Sequence, residues 1–575
     1  MLQFLFGLLA VQGIVHALPS SPKVKLDSAT VIGVTSGSVS KFLGIPYAVP
    51  PYVASVSSQG LQAHVSRQRF RAAQAMTPYK GTVDATKYGF LCPQQKLTIP
   101  QTGLEDVTNI ITTKPELRDA PGTENEDCLT LNIIKPSVPS VSSRNLPVVV
   151  WIHGGAYQVG DTASYDSLGT ELVERSIQLR KPIIYVSINY RSSLVTWLQA
   201  LSHVSFANSS PPAYGFLGGL QIFQEGNGNL GLRDQRLAIQ WVNKYIRAFG
   251  GDPSKVTLWG QSSGAISVGL QMMTNGGDSQ GLFRAGFMMS GAPLPVGNIT
   301  KGTGPTYFDF LVSDTGCSSA SDGLACLRAL PFPVLKASVD KTPSFFSYQS
   351  LALIWHPSVD GVFLKDNPQN LVTKGAFANV PLVSGTVDDE GTLFGISSLN
   401  LTTEADFRTY IETNWQPRNP VDTLEQLWTY YPADPSAGSP FGTGKSNALT
   451  PQFKRVSAFI SDSVQNGPRR LFLQQASKKA KVFGYLTKRL KSTDGIGSYH
   501  GSDLVEGIVN DNLIHFVSDL DPNTGSGVHW PLYTTHSPNL YTFPAKGSPL
   551  ITQDTFRADA INYLNNLSLA APFVL

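Results

Sequence analysis

The stretch Lys255-Val256-Thr257-Leu258-Trp259-Gly260-Gln261-Ser262-Ser263-Gly264-Ala265-Ile266-Ser267 constrains the fold more than any other part of the chain. An apolar run of strand length leads straight into G-x-S-x-G, and a helix-compatible Ala/Ile/Val segment follows. A serine flanked in this way sits on a sharp strand-to-helix turn, where the two glycines remove side chains that would collide. Ser262 is therefore the candidate nucleophile. Gly277-Asp278-Ser279-Gln280-Gly281 fits the same pattern, but it follows the turn dipeptide Asn275-Gly276 and no strand leads into it, so Ser279 reads as loop.

Such a turn needs a sheet around it, and the flanking sequence supplies one. Leu146 to Ile152 is a continuous apolar run, as expected of a strand buried on both faces, and Pro182 to Ile188 repeats it. Leu232 to Phe249 reads as a helix with Leu237, Trp241, Ile246 and Phe249 among its apolar positions, stopped by Gly250-Gly251-Asp252-Pro253. The elbow strand follows at once, and Ala285 to Met289 reads as the next strand. Helix-to-strand units of this kind build doubly wound, largely parallel α/β sheets. With 41% hydrophobic residues and 15% charged, a large core is available. No composition shift or repeat divides the chain, so residues 18–575 read as one catalytic domain in which the helix-rich region 400–480 forms a cap. Phe42 to Pro51, rich in proline, reads as an extended edge segment.

The ends and cysteines indicate a destination. Leu2 to Val15 is almost wholly apolar, and Val15-His16-Ala17 offers small residues where a signal peptidase reads, so residues 1–17 are expected to be a cleaved leader despite lacking Lys or Arg. No later run reaches the roughly 18 apolar residues of a membrane span, so a secreted, extracellular protein is expected. The 4 cysteines, Cys92, Cys128, Cys317 and Cys326, allow three disulfide pairings, and none of their spacings suggests a metal or redox site. Asn208, Asn298, Asn400 and Asn566 each begin a glycosylation sequon. A net charge of +3 gives no electrostatic case for nucleic acid or acidic membranes.

A serine hydroxyl is a poor nucleophile at neutral pH, so a histidine must take its proton and a carboxylate must hold that histidine in the right tautomer. After an elbow of this type the acid precedes the base in the chain. Among His356, His500, His515, His529 and His536, His500 lies in the loop-like Gly495 to Asp503, after the strand-like Val482 to Leu486, and is the best base. His356 before a proline and His515 in an apolar helical run are better explained by packing. Val380 to Ser384 reads as a short strand followed by Asp388-Asp389-Glu390, and order does not choose among these three carboxylates. His153-Gly154-Gly155-Ala156-Tyr157, at the end of an apolar strand, resembles an HGGG-type oxyanion loop. Its donors would be the amides of Gly155 and Ala156, with Ser263 as a third, while His153 orients the loop rather than acting as base.

These residues together resemble the type-B carboxylesterase/lipase family, which includes cholinesterases and lid-bearing fungal lipases. Phe42 to Pro51, Asn125 to Asn132, Asn189-Tyr190-Arg191, Asn229 to Gln235, Phe249 to Pro253 and Asp389-Glu390-Gly391 all look like its signatures. The resemblance implies an α/β-hydrolase fold, a mostly parallel central sheet flanked by helices with cap and lid insertions. It implies Glu390 as the acid and disulfides Cys92 with Cys128 and Cys317 with Cys326. Two departures stand out: Gln261 replaces the glutamate that commonly precedes the nucleophile, and residues 93–127 carry no tryptophan for a choline headgroup. That segment looks instead like the lid of the fungal lipases, with Leu104, Val107 and Ile111 at helical spacing.

The expected activity is hydrolysis of medium to long acyl esters, acylglycerols and sterol esters through an acyl-enzyme, without metal or organic cofactor, and with transient contact at a lipid interface. The alternatives are an esterase for feruloyl-type or short-chain esters, and a binding protein on the same fold. An intact set of nucleophile, acid, base and oxyanion loop argues against the last.

Overall fold

The computed structural model describes residues 21–49, 69–76, 78–100, 102–105, 107, 109–110, 123–137, 144–191 and 215–573. The leader, Ile111 and Asn208 lie outside these residues. Fourteen strands run in chain order: β1 (Lys23–Leu26), β2 (Ala29–Ile32), β3 (Val34–Ser36), β4 (Val39–Pro46), β5 (Thr82–Asp84), β6 (Thr130–Pro136), β7 (Leu146–Ile152), β8 (Ile184–Ile188), β9 (Gly251–Gln261), β10 (Ala285–Met289), β11 (Leu382–Val387), β12 (Val482–Thr487), β13 (Asn539–Phe543) and β14 (Leu550–Gln553).

Eleven of them form one sheet in the order β14-β13-β12-β11-β10-β9-β7-β8-β6-β4-β3, and β1, β2 and β5 form a small second one. From β8 to β13 every neighbouring pair is parallel. The apolar runs read from sequence are these central strands, and each residue of β8, β10, β11 and β12 is buried because helices cover both faces. Antiparallel pairs are confined to the two margins.

The expected edge segment beginning at Phe42 is extended but not at the edge. It is β4, paired with β3 on one side and β6 on the other, with a register irregularity between Phe42 and Ile45. Phe42 and Ile45 are buried, which favours a covered position over a margin. The helix before the elbow is α-helical over Leu230–Tyr245 and tightens to a 3-10 turn over Ile246–Phe249. Gly250, at φ 94°, ends it, and β9 starts at the next residue, earlier than the proline suggests. Both disulfides expected from the resemblance form, Cys92 with Cys128 and Cys317 with Cys326. Among the described residues no helix is long and apolar enough to cross a membrane.

Parallel strands place their carboxyl ends on one margin of the sheet, and ligands bind outside that margin. Ser262 follows β9, the Gly155 loop follows β7, Glu390 follows β11, and His500 follows β12. The topology thus gathers residues scattered over the chain.

Candidate active site

The turn between β9 and the helix Ser263–Gln271 is strained at its apex. Ser262 has φ 58° and ψ −128°, a conformation that L side chains seldom adopt, and strain of this type is stored where it positions a group. The turn is held by its neighbours: Ser262 donates its N–H to Met289 O at 2.9 Å, and Ile266 N–H bonds back to Ser262 O at 3.0 Å. The motif's glycines are dictated by contact. A Cβ on Gly260 would lie 2.4 Å from the Gly264 carbonyl, and one on Gly264 would lie 2.0 Å from Ile152 O. Ser279, by contrast, is in a loop between the 3-10 turn Thr274–Gly277 and β10, with no strand leading into it and no helix after it.

The loop after β7 packs directly on this turn. Its backbone passes through positive φ at three successive residues, Gly155, Ala156 and Tyr157, which turns consecutive amides towards one side. Tyr157 N–H reaches Ser263 Oγ at 3.4 Å, tying the loop to the elbow helix. Among the described residues none accepts a hydrogen bond from the amides of Gly155, Ala156 or Ser263. His153 is fully buried, stacks on Tyr190 at 4.4 Å between ring centroids, and points Nδ1 at Gly154 O at 2.9 Å, which is the orienting role expected of it. The family-like motif around Tyr190 gains a reason here. Tyr190 OH donates to His153 O at 2.9 Å, Asn189 Oδ1 accepts from Thr162 N, and Arg191 grips Asp234 through two 2.6 Å bonds.

The three carboxylates after β11 face different ways. Glu390 is fully buried, with Oε2 2.5 Å from His500 Nδ1 and Oε1 accepting the Val387 N–H at 2.8 Å. Asp389 turns the other way. Its Oδ1 accepts from Ser439 Oγ and Phe441 N, and its Oδ2 accepts from Ser498 N and Lys491 Nζ. Burial pushes the Asp389 carboxyl up, and the Lys491 ammonium opposes this. Asp388 pairs with Lys488 and Lys491 nearer the surface. Asp389 therefore staples the loop that carries His500, helped by Thr392 Oγ1 donating to Ile496 O at 2.7 Å.

His500 is nearly buried, its ring packed on Phe394 at 5.0 Å, and beyond Phe394 lie Phe345 and Phe346. Two further side chains come to His500 only in the folded chain, Gln261, which the sequence marks as a departure, and Asp503, which it does not mark. Gln261 Nε2 lies 3.2 Å from His500 Nε2. Asp503 is fully buried, with Oδ2 accepting from Tyr485 OH at 2.8 Å and Ser290 Oγ at 3.1 Å, and Oδ1 without a partner among the described residues. Desolvation first, then the negative charge of Glu390, pushes Asp503 up to about 6. Proximity of Asp503 to His500 in the chain was the one signal available for it.

His356 and His515 sit apart from this cluster: His356 Nδ1 faces Pro357 O, and His515 lies on the helix Asn510–Asp519. Of the segment 93–127, residues 105, 107, 109 and 110 are helical, Val107 is fully buried, and Leu104 is half-buried. A Cβ on Gly495 would meet Leu104 Cδ1 at 2.5 Å, so this helix rests on the loop carrying His500. Asn298, Asn400 and Asn566 are exposed, and Asn298 Oδ1 closes a local turn by accepting from Thr300 N at 2.9 Å.

A family model described as the carboxylesterase family matches residues 20–209 and 212–506. The chain is 37% identical over 579 residues to Lipase 5 of Diutina rugosa, covering 96% of this chain and 97% of that one. It is 35% identical to Secreted lipase 1 of Botryotinia fuckeliana, covering 95% and 93%. In three dimensions it resembles the crystal structure of Aspergillus niger EstA, with a TM-score of 0.75 and 25% identity over 97% of this chain and 99% of that one.

Proposed function

Because this chain belongs to the carboxylesterase family and is a carboxylic ester hydrolase, we propose that it is a secreted serine hydrolase working through an acyl-enzyme on Ser262. The observation that carries the reading is the buried 2.5 Å contact between Glu390 Oε2 and His500 Nδ1 beside a serine held at φ 58°. Glu390 fixes the imidazole proton on Nδ1, leaving Nε2 to take the Ser262 proton as Oγ attacks the ester carbonyl. The developing oxyanion is held by the amides of Gly155, Ala156 and Ser263, which have no other described acceptor. His500 then gives its proton to the leaving alkoxide, and water reverses the sequence to free the acid.

The substrate favoured is an ester with a medium to long acyl chain. Support comes from Phe394 packed on His500 with Phe345 and Phe346 behind it, and from Leu104 and Val107 lying against Gly495 in the loop that carries His500. Each methylene buried there contributes up to about 0.8 kcal/mol. Secretion follows the names of relatives such as Secreted lipase 1 and the two disulfides, which an oxidising compartment permits. Residues 18–575 act as one catalytic unit, and the segment 93–127 acts as its lid at a lipid interface. The phenylalanines beside His500 also suit an aromatic acyl group such as feruloyl.

The test is a series of p-nitrophenyl esters over acyl length, with a feruloyl ester added and Ser262→Ala as control. A burst of nitrophenol equal to the enzyme, and rates rising from acetate to octanoate, are expected. A preference for acetate, or for the feruloyl ester, would replace the long-chain reading. Changing Leu104, Val107 and Ile111 together to Ser should lower the rate on emulsified substrate far more than on dissolved substrate.

A further inference from the structure

Gln261 touches His500, and the ester-hydrolysis scheme gives it no task. It is fully buried at the last position of β9, immediately before Ser262. Its Nε2 lies 3.2 Å from His500 Nε2, the nitrogen that must receive the serine proton. A carboxamide N–H2 only donates, so this contact requires His500 Nε2 to be an unprotonated acceptor, in agreement with a proton held on Nδ1 by Glu390. At its other end, Gln261 Oε1 is buried with no hydrogen-bond partner among the described residues. A buried acceptor left unpaired is destabilising, so an empty acceptor next to a proton-transfer centre calls for a reason.

We propose that Gln261 is a positioning residue that serves both protonation states of His500 and extends hydrolysis towards acidic pH. The proposal rests on His500 as the base. Before attack, Gln261 Nε2 donates to the unprotonated Nε2 of the imidazole and steadies its neutral form. His500 Nε2 has a single lone pair, so the Gln261 N–H gives it up as the Ser262 Oγ–H proton moves onto it, and the two groups are then donor against donor. A half-turn of the carboxamide then brings Oε1 to accept the new N–H, and the turn reverses once the proton passes to the leaving alkoxide. No proton leaves or enters Gln261.

Charge explains the consequence for pH. The carboxylates facing His500 are Glu390, which it contacts, and Asp503, which is bound to the Tyr485 phenol. A third carboxylate at position 261 would favour the imidazolium, and a hydrogen bond donated to the neutral imidazole disfavours it. The neutral amide therefore keeps the base unprotonated further into the acid range than a glutamate would.

The experiment measures kcat and KM across pH for the native enzyme, Gln261→Glu and Gln261→Met, using p-nitrophenyl butyrate. His500→Ala accompanies them. Gln261→Glu is expected to move the acidic limb of kcat/KM up by about one pH unit, a tenfold loss on the acid side. Gln261→Met should move it in the same direction by less, through the lost donor. The change should fall on kcat and its pH dependence rather than on KM. An imidazole NMR titration in the Ser262→Ala background provides a second readout, with the same order of midpoints, and serves if Gln261→Glu folds poorly. Acidic limbs and NMR midpoints that coincide in all three proteins would overturn the proposal. If His500→Ala remained active, the base assignment itself would fall, a result separate from unmoved limbs.

Discussion

Replacing Glu390 by Gln changes one atom and should silence the enzyme, for a reason that can be followed bond by bond. Glu390 uses both oxygens: Oε1 takes the Val387 N–H at 2.8 Å and Oε2 faces His500 Nδ1 at 2.5 Å. In the amide only one of these can remain an acceptor. Keeping the Val387 bond puts the N–H2 against His500, where Nδ1 must become the acceptor and the imidazole proton moves to Nε2. The lone pair that should receive the Ser262 proton is then gone. The opposite rotamer keeps the histidine tautomer but sets N–H2 against a buried N–H, at a cost of about 1 to 3 kcal/mol. A wrong tautomer at an equivalent triad costs about ten-thousand-fold in kcat, or about 5.4 kcal/mol. Steady-state hydrolysis of p-nitrophenyl butyrate, with circular dichroism to show intact folding, measures this directly. A folded Glu390→Gln enzyme with more than about a tenth of the native kcat would refute the argument.

Asp389→Asn should separate stability from catalysis. It removes at least one acceptor from a buried carboxylate with four bonded donors, costing about 3 to 5 kcal/mol in urea unfolding, while kcat falls much less than in Glu390→Gln. Equal loss of kcat in both would make Asp389 the acid instead. Ser262→Ala should lose several orders of magnitude and Ser279→Ala almost nothing on the same ester, since only the former sits at the strained turn. Asp503 predicts a pH effect. Its carboxyl is raised from 3.8 to about 6, so the folded state holds that proton more tightly than the unfolded state, and stability declines as pH rises through this window. Asp503→Asn keeps an acceptor for Tyr485 and Ser290 and places its N–H2 where Oδ1 has no partner among the described residues. Its unfolding free energy from urea titration should match the native one at low pH and exceed it above neutrality, by up to about 3 kcal/mol. A native advantage at alkaline pH would contradict this.

What the sequence made legible follows from how each feature is encoded. Buried parallel strands are written as contiguous apolar runs, so β7, β8, β10 and β12 could be read within a residue or two. The elbow is local, and its glycines announce it. Choosing between Asp389 and Glu390 needed the family resemblance, because two adjacent residues on a turn point to opposite sides and order carries no direction. Gln261 could be noticed as a departure, but its reach to a histidine 239 residues away is a property of the assembled sheet. Asp503 gave no pattern at all, since one carboxylate in a polar loop reads the same whether buried or exposed. Proline-rich extension suggests a sheet margin for β4, whereas β3 and β6 enclose it.

Assembly of the reactive groups at the ends of β7, β9, β11 and β12 bears on how the chain acquires activity when it folds. Glu390 and His500 are 110 residues apart, and Gln261 and His500 are 239 apart. Contacts of such separation form late, because the loops between them lose entropy before any pairing compensates. Helices and hairpins can thus appear well before any turnover. In refolding from denaturant, far-ultraviolet ellipticity should recover ahead of ester hydrolysis, with the interval set by docking of β12 against β11 and the arrival of the His500 loop over Asp389. Hydrolysis is thereby a reporter of the last long-range pairing in the sheet, and a chain that stops before β12 has nothing with which to take the serine proton.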